Sequence, residues 1–209
     1  MDAAIAARLS VGLRRLGLEL APAQFETLGT LLDELADWNT RLNLTAIREP
    51  AECVDKHLLD SLAVLPHLRG LTVADIGSGA GFPGLPLAIV DPDRRYVLIE
   101  STGKKAKFLS HAVARLDLAN VEVVPLRAES YRPTRPFDCV IARALGPLAE
   151  FVRVSGHLTA PGGRLLAMKG RVPEAEIEAL PAGWTAVAVH PVAIPGLDAE
   201  RCLVELARV

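Results

Sequence analysis

Apolar residues recur at helical spacing through the first third of the chain, and then the rhythm changes. "AAIAARLSVGLRRLG" (3–17), "PAQFETLGTLLDELADWNTRL" (22–42) and "PAECVDKHLLDSLAVLPHL" (50–68) space their apolar positions three and four apart. Gly17 closes the first of these, and Pro22 and Pro50 open the other two. From Leu71 onward short apolar runs alternate with helical stretches: "LTVADI", "GLPLAIV", "RYVLIE", "KKAKFLSHAVARL", "NVEVVPL", "FDCVIARA", "LAEFVRVSGHL" and "GRLLAMK". This order predicts a helical cap over residues 1–69 and an α/β domain over 70–209 with a mostly parallel, Rossmann-like sheet covered on both faces. The tail runs "WTAVAVHPV" and "ERCLVELARV" add two strands, expected to pair antiparallel at one edge.

Half of the 209 residues are hydrophobic, enough for one sizeable core. The first seventeen residues carry arginines through them and read as an amphipathic helix rather than a signal peptide. No later stretch approaches the roughly 18 apolar residues of a membrane span. Cys53, Cys139 and Cys202 are odd in number and far apart, which argues against a disulfide framework or a zinc site and fits a reducing cytoplasm. The net charge of −2 gives nucleic-acid binding no support from the whole-molecule field. Local charge leaves two readings open: "GKKAKF", with Lys104 and Lys105, and the scattered arginines either converge on one face or are solvated surface charges.

The densest signal is "VADIGSGAGFPGLPLAIV" (73–90), with four glycines in eight residues between two apolar runs. In an open α/β sheet the loop after the first strand lies at the ligand. Gly79, Gly81 and Gly84 satisfy GxGxxG, so a dinucleotide site must be weighed. Asp75 argues against it, because a carboxylate two residues before the first glycine would repel a pyrophosphate at the following helix N-terminus. S-adenosylmethionine has no phosphate and presents an ammonium and a sulfonium, which the same carboxylate favours. Glu100 closes "YVLIE" where an acid can accept ribose hydroxyls, a position that suits either cofactor. Ala128 and Glu129, in "RAES", follow the third strand. Glu129 reads either as flanking an adenine or as an acid favoured at a helix start.

The loop after the fourth strand reads "FDCVIARAL" and lacks the [DN]PP[YF] motif that holds an amino group for methylation. Cys139 lies in mid-strand, as a small core residue would, so it does not read as a nucleophile. An acceptor such as guanine N7 has a lone pair and no proton to lose, needs no general base, and fits a site made for orientation. Arg143 stands at the strand end and would then hold O6, a phosphate or the cofactor, since a fork onto both O6 and N7 would block the reacting lone pair.

With these elements the chain resembles the RsmG (GidB) family, bacterial 16S rRNA guanine-N7 methyltransferases. The resemblance runs through "WNTRLNLTAIREP", "KHLLDSL", "DIGSGAGFPGLPLAI", "KKAKFL", "FDCVIARAL", "MKG" and "IPGLDAERCLV". It implies a class I methyltransferase fold and transfer from S-adenosylmethionine, without a metal, to N7 of one guanosine in the 530 loop of 16S rRNA. It also implies cofactor contacts at Gly77, Phe82, Ala128, Glu129 and Arg143, beside Asp75, Gly79, Gly81 and Glu100. Asn43, His57 and Asp60 are implied at the pocket mouth, with His57 and Asp60 on one helix face. Arg143, Asp60 and His57 form the expected catalytic group, and Asn43, Lys104, Lys105 and Lys169 the expected RNA contacts. Lys56 stands where family members often have arginine, which weakens a forked phosphate contact there. The partner implied is the small ribosomal subunit or its assembly intermediate, met by a cytoplasmic monomer. Three other readings stay in view: a methyltransferase with a small-molecule or protein acceptor, a ribosome-binding module without catalysis, and an NAD-dependent oxidoreductase.

Overall fold

The computed structural model describes residues 1–209. Its first helix, α1 (Ala3–Arg15), starts where the Asp2 side chain accepts the Ile5 amide at 2.9 Å. The second, α2 (Pro22–Leu42), starts on a proline whose missing N–H costs nothing there. Gln24 fastens α2 to the sheet domain by donating to the carbonyls of Ile89 and Val90 at 3.2 and 3.0 Å. A third helical segment begins as α3 (Pro50–Cys53), widens into a π-helix over Val54–Leu59, and returns to α geometry as α4 (Asp60–Leu62). The apolar spacing gave no sign of that widening. Near the site, a π turn is a common way to re-aim side chains.

The remaining elements alternate as the sequence predicts: β1 (Thr72–Ile76), α5 (Gly84–Val90), β2 (Arg95–Ile99), α6 (Gly103–Arg115), β3 (Val121–Val124), β4 (Phe137–Arg143), α7 (Leu148–Ser155) and β5 (Thr159–Lys169). A short helix α8 (Glu174–Glu178) precedes β6 (Trp184–Pro191) and β7 (Cys202–Arg208). The seven strands lie in the order β3-β2-β1-β4-β5-β7-β6. The first five are parallel, and β7 runs antiparallel to both β5 and β6. The tail strands thus form the antiparallel edge, with β7 inserted between β5 and β6.

Alternation along the strands sends side chains to two faces. Ala74 and Ile76 of β1 join Val97, Ile99, Val140 and the α7 residue Phe151 on one face. Val73 and Leu98 face the other way, into clusters that include Leu85, Ile89, Phe108 and Leu109 of α5 and α6. The helical cap has no separate core: Leu9, Leu28, Leu31, Leu35, Leu58 and Leu59 are completely buried in the same cluster as those α5 and α6 residues. Each such leucine removed from water contributes about 2 kcal/mol, so the cap is held to the sheet chiefly by apolar burial. No helix is long and apolar enough to cross a membrane.

Candidate functional site

The order of the strands reverses between β1 and β4, and in open sheets of this kind ligands gather at the carboxyl ends beside that point. There the structure has a cavity of about 650 Å³, walled by the cap segments on one side and the strand ends on the other. Gly77, Gly79 and Phe82 come from the loop after β1, Arg143 from the end of β4, Lys169 from the end of β5, and His57 and Asp60 from the helical segment above. Leu44, Thr45, Lys56, Lys105, Met168 and Arg201 complete much of the lining. Five cationic side chains face it against one carboxylate, whereas the whole chain carries −2. The basic residues that look scattered in sequence therefore do converge in part.

The glycine loop divides its work. Gly77 and Gly79 have φ of +66° and +60°, a left-handed backbone that a Cβ disfavours. Gly81, itself left-handed at φ +90°, and Gly84 are also needed for packing: an added Cβ would lie 2.3 Å from Leu85 Cδ1 in one case and 2.2 Å from Leu98 Cδ2 in the other. That close approach lets α5 start directly beneath the loop, and Asp75 Oδ2 accepts the Gly84 amide at 3.0 Å. Asp75 does not line the cavity. Strand alternation places it on the α5 face, wholly buried under the loop, where burial raises its pKa to about 7. Its Oδ1 is buried without a hydrogen-bond partner. Glu100, also buried, accepts the Gly79 amide at 2.9 Å through Oε2 and the Thr102 amide at 2.7 Å through Oε1. It braces the same loop from the β2 end.

Arg143 is the hub of the polar network. Its Nη1 donates to the Lys56 carbonyl at 2.8 Å and lies 3.4 Å from Asp60 Oδ2, and its Nη2 lies 3.3 Å from His57 Nδ1. Arg201 closes on Asp60 from the other side, with Nε 3.2 Å from Oδ1. His57 and Asp60, read as neighbours on a helix face, both reach Arg143 although His57 sits in the π segment. The His57 ring stacks on Phe82 with centroids 4.5 Å apart and planes 13° apart, and the Arg143 guanidinium lies 5.7 Å from the same ring. Burial, reinforced by the Arg143 charge, lowers the His57 pKa to about 4, so the imidazole is neutral at pH 7.

Other expected site residues sit elsewhere. Asn43 caps α2 in the left-handed conformation and accepts from Arg48 Nη2 at 3.1 Å, outside the lining. Lys104 donates to the Leu42 carbonyl at 2.8 Å, an orphan acceptor at the end of α2. Lys105, its neighbour, lines the cavity and makes no side-chain hydrogen bond or ion pair. Lys169 lines it too, but is committed to the Gly146 carbonyl and to Glu176, both at 2.7 Å. Ala128 and Glu129 form a 3₁₀ turn after β3, beyond the Glu100 side of the loop, with Glu129 3.6 Å from Arg153. Cys139 is fully buried, and burial pushes its thiol up to about 12, which suits packing and not nucleophilic attack. Thr45 and Arg201 were not singled out from the sequence, although both stand inside motifs that carry the resemblance, "NLT" and "DAERCLV".

A family model described as "GidB: rRNA small subunit methyltransferase G" matches residues 24–204. The chain is 50% identical over 204 residues to the ribosomal RNA small subunit methyltransferase G of Azoarcus sp. (strain BH72), covering 97% of this chain and 96% of that one. It is 51% identical to the protein of the same description from Aromatoleum aromaticum, with 97% and 99% covered. Among solved structures, the glycopeptide N-methyltransferase MtfA, complexed with S-adenosyl-L-homocysteine, superposes with a TM-score of 0.64 over 73% of this chain and 87% of its own. At 11% identity, that likeness establishes a shared class I methyltransferase fold.

Proposed function

The chain belongs to the GidB family, rRNA small subunit methyltransferase G, and on that premise we propose that it transfers a methyl group from S-adenosylmethionine to N7 of a guanosine in the 530 loop of 16S rRNA. The observation that carries the acceptor atom is the absence of an available base. His57 has a pKa near 4, with Nδ1 facing Arg143 and Nε2 3.0 Å from Thr45, and both oxygens of Asp60 face arginines. A site with nothing ready to take a proton suits a nucleophile that has none to lose. The cation-lined cavity supports a polyanionic substrate.

The residues present fit the cofactor. The left-handed turns at Gly77 and Gly79 leave bare backbone along the cavity, and Phe82 lines it beside them. We assign Gly77, Gly79, Phe82, Glu100, Ala128, Glu129 and Arg143 to holding the cofactor, with Gly81 and Asp75 shaping the loop from beneath. When bound, it supplies an electrophilic methyl on a sulfonium. Arg143, His57 and Asp60 orient the base, and Phe82 excludes water behind it. Lys105 and Lys169 meet phosphate, the second only by leaving Glu176, while Lys104 and Asn43 act from the rim. Residues 1–69 serve as the cap and 70–209 as the transferase domain of a monomer that works in the cytoplasm, where the small subunit is found.

The test is transfer of labelled methyl to small subunits from a strain lacking the enzyme, followed by strand scission at 7-methylguanosine. A single cut in the 530 loop is expected. Transfer without that cut would discard the guanine-N7 assignment, and absence of transfer to RNA would favour a small-molecule or protein acceptor.

A further inference from the structure

The polar network has a direction, and it ends in an unspent hydrogen. A guanidinium only donates, so the Arg143 Nη2 that lies 3.3 Å from His57 Nδ1 favours the tautomer in which that nitrogen accepts, in competition with the Lys56 carbonyl, which favours a ring proton. With Nδ1 accepting, the neutral ring keeps its one proton on Nε2, which then donates to Thr45 Oγ1 at 3.0 Å. Thr45 Oγ1 also accepts the Ile47 amide at 3.2 Å. A hydroxyl has two acceptor sites and one donor. In this tautomer both acceptor sites are filled from within the protein, and the Thr45 proton is left for a ligand. Thr45 lines the cavity beside His57 and Phe82.

Its neighbours in the lining share this polarity. Lys56, Lys105, Arg143, Lys169 and Arg201 are donors, and Asp60 has both oxygens directed at arginines. A base entering this cavity is met by donors and has to offer acceptors. On its major-groove edge guanine presents O6 and N7, whereas adenine presents an amino group beside N7. If N7 is to receive a methyl group it is unavailable for a hydrogen bond, which leaves O6. An adenine amino group would instead face the Thr45 O–H donor to donor.

We propose that the Thr45 hydroxyl donates to O6 of the target guanine, and that the relay from Arg143 through His57 fixes the polarity that makes it a donor. Thr45 is thus a specificity-determining contact, and His57 is a positioning residue that acts through it. The assignment rests on the guanine-N7 reading of the site and adds the group that tells guanine from adenine.

The experiment is a two-by-two comparison of single-turnover methyl transfer. Small subunits are reconstituted with either guanosine or 2-aminopurine riboside at the target nucleotide, the second lacking O6 and keeping N7, and are treated with wild type or Thr45→Val. Thr45→Val is expected to slow transfer to guanosine about tenfold, the cost of one buried hydrogen bond, and to leave transfer to 2-aminopurine unchanged relative to wild type. Thr45→Ser, which keeps the hydroxyl, is expected to restore the guanosine rate. Equal slowing on both bases would overturn the proposal, because a merely structural loss does not depend on O6. A ring-nitrogen NMR signature placing the His57 proton on Nδ1 would overturn it too. If wild type fails to methylate even the guanosine subunits, the reading of the function falls, which is distinguishable from either result.

Discussion

Two buried carboxylates in this molecule are each bracketed by arginines, and only one belongs to the site. Asp60 lies between Arg143 and Arg201 at 3.4 and 3.2 Å, at the edge of the large cavity. Glu205, on β7, accepts from Arg69 and Arg164 at 3.1 and 3.0 Å and pairs with His190 at 3.1 Å. Both are nearly inaccessible, at 4% and 3% exposed. Their surroundings separate them. The contacts of Glu205 are shorter, and they join β7, β5, β6 and the segment ahead of β1 into one clamp whose pull holds its carboxyl below the usual range despite burial. The Asp60 contacts are longer, and Arg143 shares its donors with His57 and a backbone carbonyl. Burial of charge therefore marks neither function nor architecture by itself; what marks the site is a network that borders a cavity.

Substitutions can break this contrast, beginning with the largest effect. Arg143→Ala should lower methyl transfer on the order of 10²–10³-fold, the usual cost of losing one preorganised donor, with a smaller loss of stability because Asp60 keeps Arg201. A comparable loss of stability with rate preserved would make Arg143 a second clamp. Glu205→Ala should do the reverse, costing about 2 kcal/mol in urea unfolding by removing the buried acceptor shared by the partly exposed Arg69, Arg164 and His190, with the rate per folded molecule retained. Activity that falls in proportion would show that the clamp reaches the site.

A subtler contrast is in pH. The native pKa of His57, about 4, is below its ordinary value of 6.5, so the unfolded chain binds more protons between those values. Its contribution to stability is complete above pH 6.5 and is lost as pH falls toward 4. Asp75, raised to about 7 from an ordinary 3.8, has the opposite sign: its contribution is complete below about pH 4 and is lost as pH rises through 7. The two nearly offset each other in wild type. His57→Gln removes one arm, so on going from pH 7 to 5 the variant should gain about 2 kcal/mol relative to wild type in paired urea titrations. Parallel titrations would mean that His57 titrates normally in the native state.

The smallest expected effect compares two adjacent lysines. Lys105→Ala should weaken subunit binding a few-fold and lower the salt dependence of log K by about 0.7–0.9, one phosphate contact. Lys104→Ala, which removes the strut to the Leu42 carbonyl, should leave that slope nearly unchanged. The opposite order would relocate the phosphate contact.

Much of this was legible in the sequence. Proline and glycine punctuation located the cap helices, short apolar runs located the strands, and the crowded glycines located the loop. The sequence places Asp75 in that loop as a carboxylate facing the ligand, but strand parity turns it beneath the loop rather than into the cavity. Contacts between distant positions were not legible. Arg201 reaches Asp60 across 141 positions, and no local pattern encodes that pairing. Nor does periodicity tell Lys104 from Lys105, which differ only in the direction each leaves α6. The π-helix was hidden because the same apolar spacing is compatible with an ordinary helix.

The place of β7 between β5 and β6 has a consequence for how the molecule is made. During synthesis β6 emerges first, yet it has no sheet neighbour to pair with until the later β7 settles between it and β5. The residue just ahead of β7 is Arg201, and four residues further along is Glu205. One late step in the birth of the chain thus closes the sheet, fastens the clamp and delivers the second arginine to Asp60, so that the glycine loop is synthesised well before the last wall of the cavity beside it.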